Sequence, residues 1–373
     1  MKIETRAVHA GTEPDATTSS IAPPIHLSTT FEHGPASEEL HGYIYIRDKN
    51  PTQDRLEQAL SQLEGGQDSL VFGSGMGAAS AMLQQLDPGS HVIFPQDVYV
   101  HVRVAQNDFL SKWGIESTTI DMRSAENVKK ALRPNTKLLW METPSNPRMD
   151  IIDIAALAKI AHEAGALSLV DNTFATPILQ RPIEHGADVV LHSTTKFCGG
   201  HSDVQGGCLV VRKRDALYER LLHVRTVLGA VSSPFNSWLV LRGLHTLACR
   251  MERHSANGLA VAQALAQNKK IETVFYPGLK SHPGHAIAAR QMSAFGAMLA
   301  ILIKGGRNEA VGVASKVQLI RNATSLGGVE TLIEHRASAE GKSSTTAPNL
   351  LRLSIGLEHP DDLIEDLLQA LGS

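Results

Sequence analysis

Along the first two-thirds of the chain, short apolar runs that end in polar residues alternate with stretches where apolar residues repeat at helical spacing. His91–Phe94, Leu138–Glu142, Leu167–Asp171, Val189–His192 and Cys208–Val211 are runs of the first kind, the pattern of strands buried on both faces of a sheet. Leu56, Leu60 and Leu63 follow helical spacing and stop at Gly65-Gly66; Ile154, Leu157, Ala158 and Ala161 form one stripe behind Asp153, an N-cap residue. This alternation predicts an α/β fold with a mostly parallel sheet covered on both faces. Near residue 240 the pattern changes. Leu241–Leu265 predicts one long helix, followed by strands at Met298–Ile303 and Leu350–Ile355 and an amphipathic helix at Asp361–Leu371, together a smaller α+β domain. Residues 1–50, rich in Thr, Ser and Pro, read as an arm that packs on something else, such as a second subunit. The expected organisation is an arm (1–50), an α/β domain (51–240) and a C-terminal α+β domain (241–373), with Ser338–Asn349 as a mobile surface loop.

Composition narrows the function classes. The 373 residues are 42% hydrophobic and 20% charged with a net charge of −3, which provides no basic footprint for nucleic acid. No apolar run approaches the roughly 18 residues needed to span a bilayer, and the N-terminus lacks a signal-peptide core, so the cytoplasm is the expected compartment. Three cysteines without metal-ligand spacing predict neither a disulfide framework nor a metal centre; Cys198 either touches the site or fills the core. His282 and His285 flank Pro283-Gly284, a loop and not a helical metal face.

The chemistry lies at the strand ends, where ligands of open α/β sheets bind. Val170-Asp171-Asn172-Thr173 and His192-Ser193-Thr194-Thr195-Lys196 deliver a carboxylate, hydroxyls and one amine. That set suits pyridoxal 5′-phosphate: Asp171 pairs with the protonated pyridine nitrogen, Ser193 and Thr195 donate to the phosphate, and Lys196 forms the Schiff base. The turn Gly73-Ser74-Gly75-Met76-Gly77 precedes a helix-like segment, Ala78–Leu86, whose N-terminus favours an anion. It lacks the lysine and spacing of a nucleotide-binding loop. Tyr99 follows the strand His91–Phe94, where its ring either stacks on a cofactor or packs.

These residues match a family. The chain resembles the Cys/Met-metabolism group of pyridoxal-phosphate enzymes over nearly its whole length. The match rests on Tyr45-Ile46-Arg47-Asp48-Lys49-Asn50-Pro51-Thr52, Ser74-Gly75-Met76, Glu142-Thr143-Pro144-Ser145-Asn146-Pro147, the two strand-end segments above, Gly200-His201-Ser202-Asp203-Val204, Ser325-Leu326-Gly327-Gly328-Val329-Glu330 and Arg352-Leu353-Ser354-Ile355-Gly356-Leu357-Glu358. The resemblance implies the fold-type I, aspartate aminotransferase-like architecture. It also implies that Lys196 carries the cofactor and shuttles protons, with Tyr99 stacking on the ring and helping to exchange the amine. Tyr45 and Arg47 would reach the cofactor phosphate of a neighbouring subunit in a homo-oligomer, typically a dimer of dimers. Arg352 would clamp the substrate α-carboxylate, a task suited to a planar bidentate donor, while Asn146 and Ser325 orient cofactor and substrate.

Three places depart from the pattern. Val100-His101-Val102 replaces a Gly-rich run, so the pocket is reshaped there; His101 is either a new acid or base or a packing residue. Thr324 stands where cystathionine-handling relatives often carry glutamate, and Glu334-His335-Arg336-Ala337-Ser338 replaces a Met-Thr-His segment. The expected activity is γ-elimination or γ-replacement on a γ-substituted L-amino acid: a homoserine ester, cystathionine, methionine or an oxygen-linked analogue such as canavanine. Cystathionine β-lyase-type β-elimination is the alternative.

Overall fold

Seven strands, all but the edge strand Glu116–Ile120 buried along most of their length, build the larger layer of the computed structural model, which describes residues 1–341 and 344–372. They are β1 (Asp68–Phe72), β2 (His91–Pro95), β3 (Glu116–Ile120), β4 (Thr136–Glu142), β5 (Leu167–Asp171), β6 (Val189–His192) and β7 (Gly207–Val211). Their order in the sheet is β1-β7-β6-β5-β4-β2-β3. Only β7 runs antiparallel to its neighbours, β1 and β6; the other pairs are parallel. Successive side chains enter opposite cores. Val92, Phe94, Leu138, Trp140 and Leu169 join one apolar cluster, while Ile93, Leu139, Met141 and Val170 join another. This two-sided burial explains why the strands read as continuous apolar runs.

A second sheet contains β8 (Ile271–Phe275), β9 (Met298–Ile303), β10 (Arg321–Asn322), β11 (Leu332–His335) and β12 (Leu350–Ser354), in the order β10-β11-β12-β9-β8. Its pairs are antiparallel except β10–β11. A third apolar cluster runs from Phe197 and Leu241 to Leu299 and Leu353, so the two sheets share a core.

Local signals account for the helix ends near the site. The helix Pro51–Glu64 starts at Asn50, whose side chain accepts from Thr52 N, and ends at Gly65 in the left-handed conformation (φ 79°). Asp153 caps the helix Ile154–Glu163 by accepting from Ala156 N. The expectation of a single helix over Leu241–Leu265 is corrected: Pro234–Leu244 and Leu247–Ala266 are separate helices. No proline marks the break. Instead Arg250 donates to the carbonyls of Gly243 and Phe197, both at 2.7 Å, and a long-range contact of that kind leaves no periodic trace. Within the expected arm, Ile3–His9 forms a helix that buries Ala7. The expected loop at Ser338–Asn349 begins inside a short helix, Arg336–Glu340. Glu340 accepts from Ser344 and Thr346 at 2.7 and 2.8 Å, while Lys342 and Ser343 lie outside the described residues.

Candidate active site

The carboxyl ends of β4, β5 and β6 open into a cavity of about 350 Å³. It is lined by Ser74, Gly75, Met76, Tyr99, Asn146, Asp171, Ser193, Thr195, Lys196, Ser325 and Arg352, bringing together eleven of the thirteen residues singled out in the sequence. The remaining two, Tyr45 and Arg47, do not line it. Both are exposed, with the Arg47 guanidinium 5.2 Å from the Tyr45 ring centroid. A separate cleft of about 770 Å³, bordered by Ile3, Pro177, His245 and Arg290, shares none of these residues and contains no lysine.

Lys196 follows β6 and donates from Nζ to Ser325 Oγ at 2.7 Å. Burial, reinforced by the charge of Arg352, lowers its pKa to about 8, so a sizeable fraction of the amine is unprotonated and nucleophilic near neutral pH. Ser325 has a φ of +97°, a conformation that non-glycine residues rarely adopt and that clusters at functional sites. Its carbonyl accepts from Arg352 at 3.0 Å. Arg352, on β12, also donates to Asn146 Oδ1 at 3.1 Å and to Glu334 Oε2 at 2.8 Å. These contacts hold a guanidinium rigidly at the wall, and burial lowers its pKa to about 10, leaving it charged.

Asp171 ends β5, directly paired with Glu142 at the end of β4. Burial raises its pKa against the opposing hydrogen bonds from Thr173, whose N–H donates at 3.0 Å. Glu142 is driven well above the usual carboxylate range by burial and then by the negative charge of Asp171. Both carboxyls are thus pushed toward the neutral form, Glu142 the more strongly of the two. Glu142 accepts from Tyr99 N at 2.8 Å and so fixes where the tyrosine enters the cavity. The Tyr99 hydroxyl lies 2.8 Å from His101 Nδ1.

Three residues that the sequence reading did not assign to the site belong to it: Glu142, Glu334 and Arg336. Glu142 opens a matched segment and ends an apolar strand, a signal available without the structure. Glu334 and Arg336 lie in the segment noted as divergent. Arg336 donates to Glu334 at 2.7 Å and to Glu340 at 3.0 Å, and all three side chains are buried. One expected donor is engaged elsewhere: Thr195 Oγ1 donates to Gly206 O at 3.2 Å and accepts from Gly206 N at 3.0 Å. Cys198 is buried in the apolar core, where burial pushes its thiol up to about 12. His192 and Asn172 face away from the chemistry, both bonded to buried Glu64 at 2.6 and 2.8 Å.

The cavity fits pyridoxal phosphate on its own chemistry. Ser74 caps the helix Gly75–Gln84 by accepting from Gly77 N at 2.9 Å, leaving the Gly75 and Met76 N–H groups without intrahelical acceptors. A Cβ at Gly75 would lie 2.8 Å from Ser193 Cβ, so this cradle admits only glycine without rearrangement. Among the described residues no side-chain cation is bonded to Asp171, which leaves a buried carboxylate facing the cavity for a pyridinium.

A family model described as Cys/Met metabolism PLP-dependent enzyme matches residues 4–372. A cystathionine γ-synthase of Mycobacterium tuberculosis is 44% identical over 374 residues, covering 99% of this chain and 96% of that protein. A cystathionine β-lyase of Coxiella burnetii is 43% identical over 379 residues, covering 99% and 97%. The crystal structure of a cystathionine γ-synthase from Xanthomonas oryzae pv. oryzae in complex with aminoacrylate and cysteine superposes with a TM-score of 0.95 at 39% identity, covering 100% of this chain and 98% of that one.

Proposed function

The chain belongs to the Cys/Met-metabolism family of pyridoxal-phosphate-dependent enzymes, and on that premise we propose that it catalyses γ-elimination or γ-replacement on a γ-substituted L-amino acid. When bound, pyridoxal phosphate supplies an electron sink for charge developing at the substrate α carbon. Lys196 is the residue that would hold it covalently, with Asp171 at the pyridine nitrogen, Tyr99 on the ring face, and Ser74, Gly75, Met76 and Ser193 around the phosphate.

The observation that carries this reading is the arrangement of Lys196, Ser325 and Arg352. The amine is bonded to Ser325 Oγ, and the same residue's carbonyl anchors the arginine, so the base and the carboxylate clamp are mutually positioned. Arg352 binds the α-carboxylate as a planar donor. Lys196, with its lowered pKa, takes the α proton and then moves a proton at the β carbon, and loss of the γ substituent follows. Water or a nucleophile completes the reaction. β-Elimination is the second reading; it uses the same residues up to α-proton removal, and the name of the Coxiella relative favours it.

We further assign Tyr45 and Arg47, exposed and outside the chain's own cavity, to the cofactor phosphate of a neighbouring subunit in a homotetramer, and the enzyme to the cytoplasm. The division into an arm (1–50) and domains at 51–240 and 241–373 belongs to the same proposal. An active monomer would refute the shared site. Among the described residues no helix is long and apolar enough to cross a membrane.

The test is a product assay on purified holoenzyme with γ- and β-substituted amino acids, each with and without cysteine. 2-Oxobutanoate without an acceptor identifies a γ-lyase, and cysteine-dependent cystathionine a synthase. Pyruvate from cystathionine, with no γ products from any substrate, would overturn the primary reading.

A further inference from the structure

His101 occupies one of the three divergent positions and makes a contact that packing alone does not require. Its Nδ1 lies 2.8 Å from the phenolic oxygen of Tyr99, with the two rings edge to face at a centroid distance of 5.3 Å. Tyr99 is partly buried and lines the cavity beside Lys196 and Arg352; His101, on the first turn of the helix Val100–Asp108, lines the same cavity at its mouth and is exposed. The pair therefore joins the reacting end of the cavity to bulk water. Glu142 anchors the tyrosine backbone, so the phenol has a defined entry point.

We propose that His101 is a positioning residue that acts through Tyr99 as a proton relay to the departing substituent, equipping this site for an oxygen leaving group more basic than a thiolate. The inference rests on the reading that a substituent leaves from the substrate γ carbon here. With Nδ1–H donating to the phenol oxygen, the phenol proton is free to point into the cavity. As the bonding pair of the β proton becomes the Cβ–Cγ double bond, the Cγ–O bond breaks and its pair leaves on oxygen, which takes the phenol proton. As His101 passes its Nδ1 proton to the phenolate, Nε2 takes one from water in the same step, and the hydroxide left is neutralised through solvent by the β proton that Lys196 took up.

The need for such a relay depends on the leaving atom. A carboxylate (about 4) and a thiolate (about 8.5) depart unaided at neutral pH, whereas an alkoxide, as basic as hydroxide, must be protonated as it leaves. Burial raises the phenol pKa, which keeps the proton in place until it is needed. The charged groups that act on this phenol are Arg336, Arg352, Glu142 and Asp171, and Lys196 faces the same cavity.

The experiment compares wild-type holoenzyme with His101→Phe and His101→Gln on O-acetyl-L-homoserine, L-cystathionine and O-methyl-L-homoserine. The relay predicts that His101→Phe loses roughly 100-fold or more in kcat on the methyl ether and less than about 3-fold on the acetyl ester, with KM little changed. His101→Gln restores the hydrogen bond but not the loss on the ether. In parallel, 13Cζ-tyrosine NMR of the resting holoenzyme follows Tyr99, its signal assigned by its absence in Tyr99→Phe. The titration midpoint of Tyr99 should move when His101 is replaced by Phe. An equal loss on all three substrates, or an unmoved midpoint, overturns the relay. If the wild type consumes none of the three, the γ-substituent reading falls and takes the leaving-group assignment with it. The NMR midpoint then decides the Tyr99–His101 coupling by itself.

Discussion

Replacing Glu334 by alanine tests whether the buried ion network is what holds the carboxylate clamp in place. Glu334 accepts from Arg336 at 2.7 Å and from Arg352 at 2.8 Å, and the three residues are 4–5% exposed. Their facing positions follow from the β11–β12 register, which sets Glu334 opposite Arg352. Removing the carboxylate leaves two buried guanidinium groups close together. Breaking a buried ion pair costs about 3–5 kcal/mol. Arg336 keeps Glu340, and Arg352 keeps Asn146 and the Ser325 carbonyl, so the lower end, about 3 kcal/mol, is expected. For 373 residues the unfolding entropy is about 0.8 kcal/mol/K, which converts that loss into a fall in Tm of roughly 4 °C. Calorimetry at fixed protein concentration and saturating cofactor measures it. Because Arg352 loses one of three anchors, KM should rise about tenfold while kcat changes less. A Glu334→Ala enzyme melting within about 1 °C of wild type with unchanged KM would refute the role given to this network.

Lys196→Ala should abolish both the yellow absorbance of the holoenzyme and turnover; a variant keeping both would remove Lys196 from its assigned place. Gly75→Ala should weaken cofactor retention by roughly tenfold or more, because the added methyl meets Ser193 at 2.8 Å. Equilibrium dialysis checks this, and unaltered retention would place the phosphate elsewhere. Burial holds the His254 pKa at about 4, below the roughly 6.5 of an unfolded histidine. The unfolded chain then binds the extra proton between those values, so stability is full above about 6.5 and falls as pH drops toward 4. By about pH 5 the loss is about 2 kcal/mol. His254→Gln should flatten the pH dependence of urea unfolding over that window, and an unchanged slope would contradict the assignment.

Much of the site was legible before the structure because its residues sit at the ends of apolar runs. Asp171 and Lys196 follow strands whose burial on both faces is written as consecutive Val and Leu, and the sheet needs only its parallel order to bring those ends together. The Ser74-Gly75 turn was legible for a similar reason, since a strand-to-helix turn with glycine is a local property. Arg352 lies on a strand of the second sheet and carries no local mark of its role; the motif around it pointed to the clamp.

Other features depend on what the fold places opposite what. Glu334 meets Arg352 through strand register, and Arg336 meets Glu340 through one helical turn, so their network exists only once β11, β12 and the short helix are assembled. The break between Leu244 and Leu247 comes from Arg250 reaching the Gly243 and Phe197 carbonyls, a contact that helical periodicity does not encode. The Thr195 hydroxyl, a plausible phosphate donor by position, is held by Gly206 across the adjoining strand connection. Sequence alone therefore determined the parallel sheet, the amine and carboxylate at its edge and the family, because those follow from local pattern and motif. Tertiary structure decided which charges pair, which protons they hold and that His101 touches Tyr99, because electrostatics and hydrogen bonding depend on distances that only packing sets.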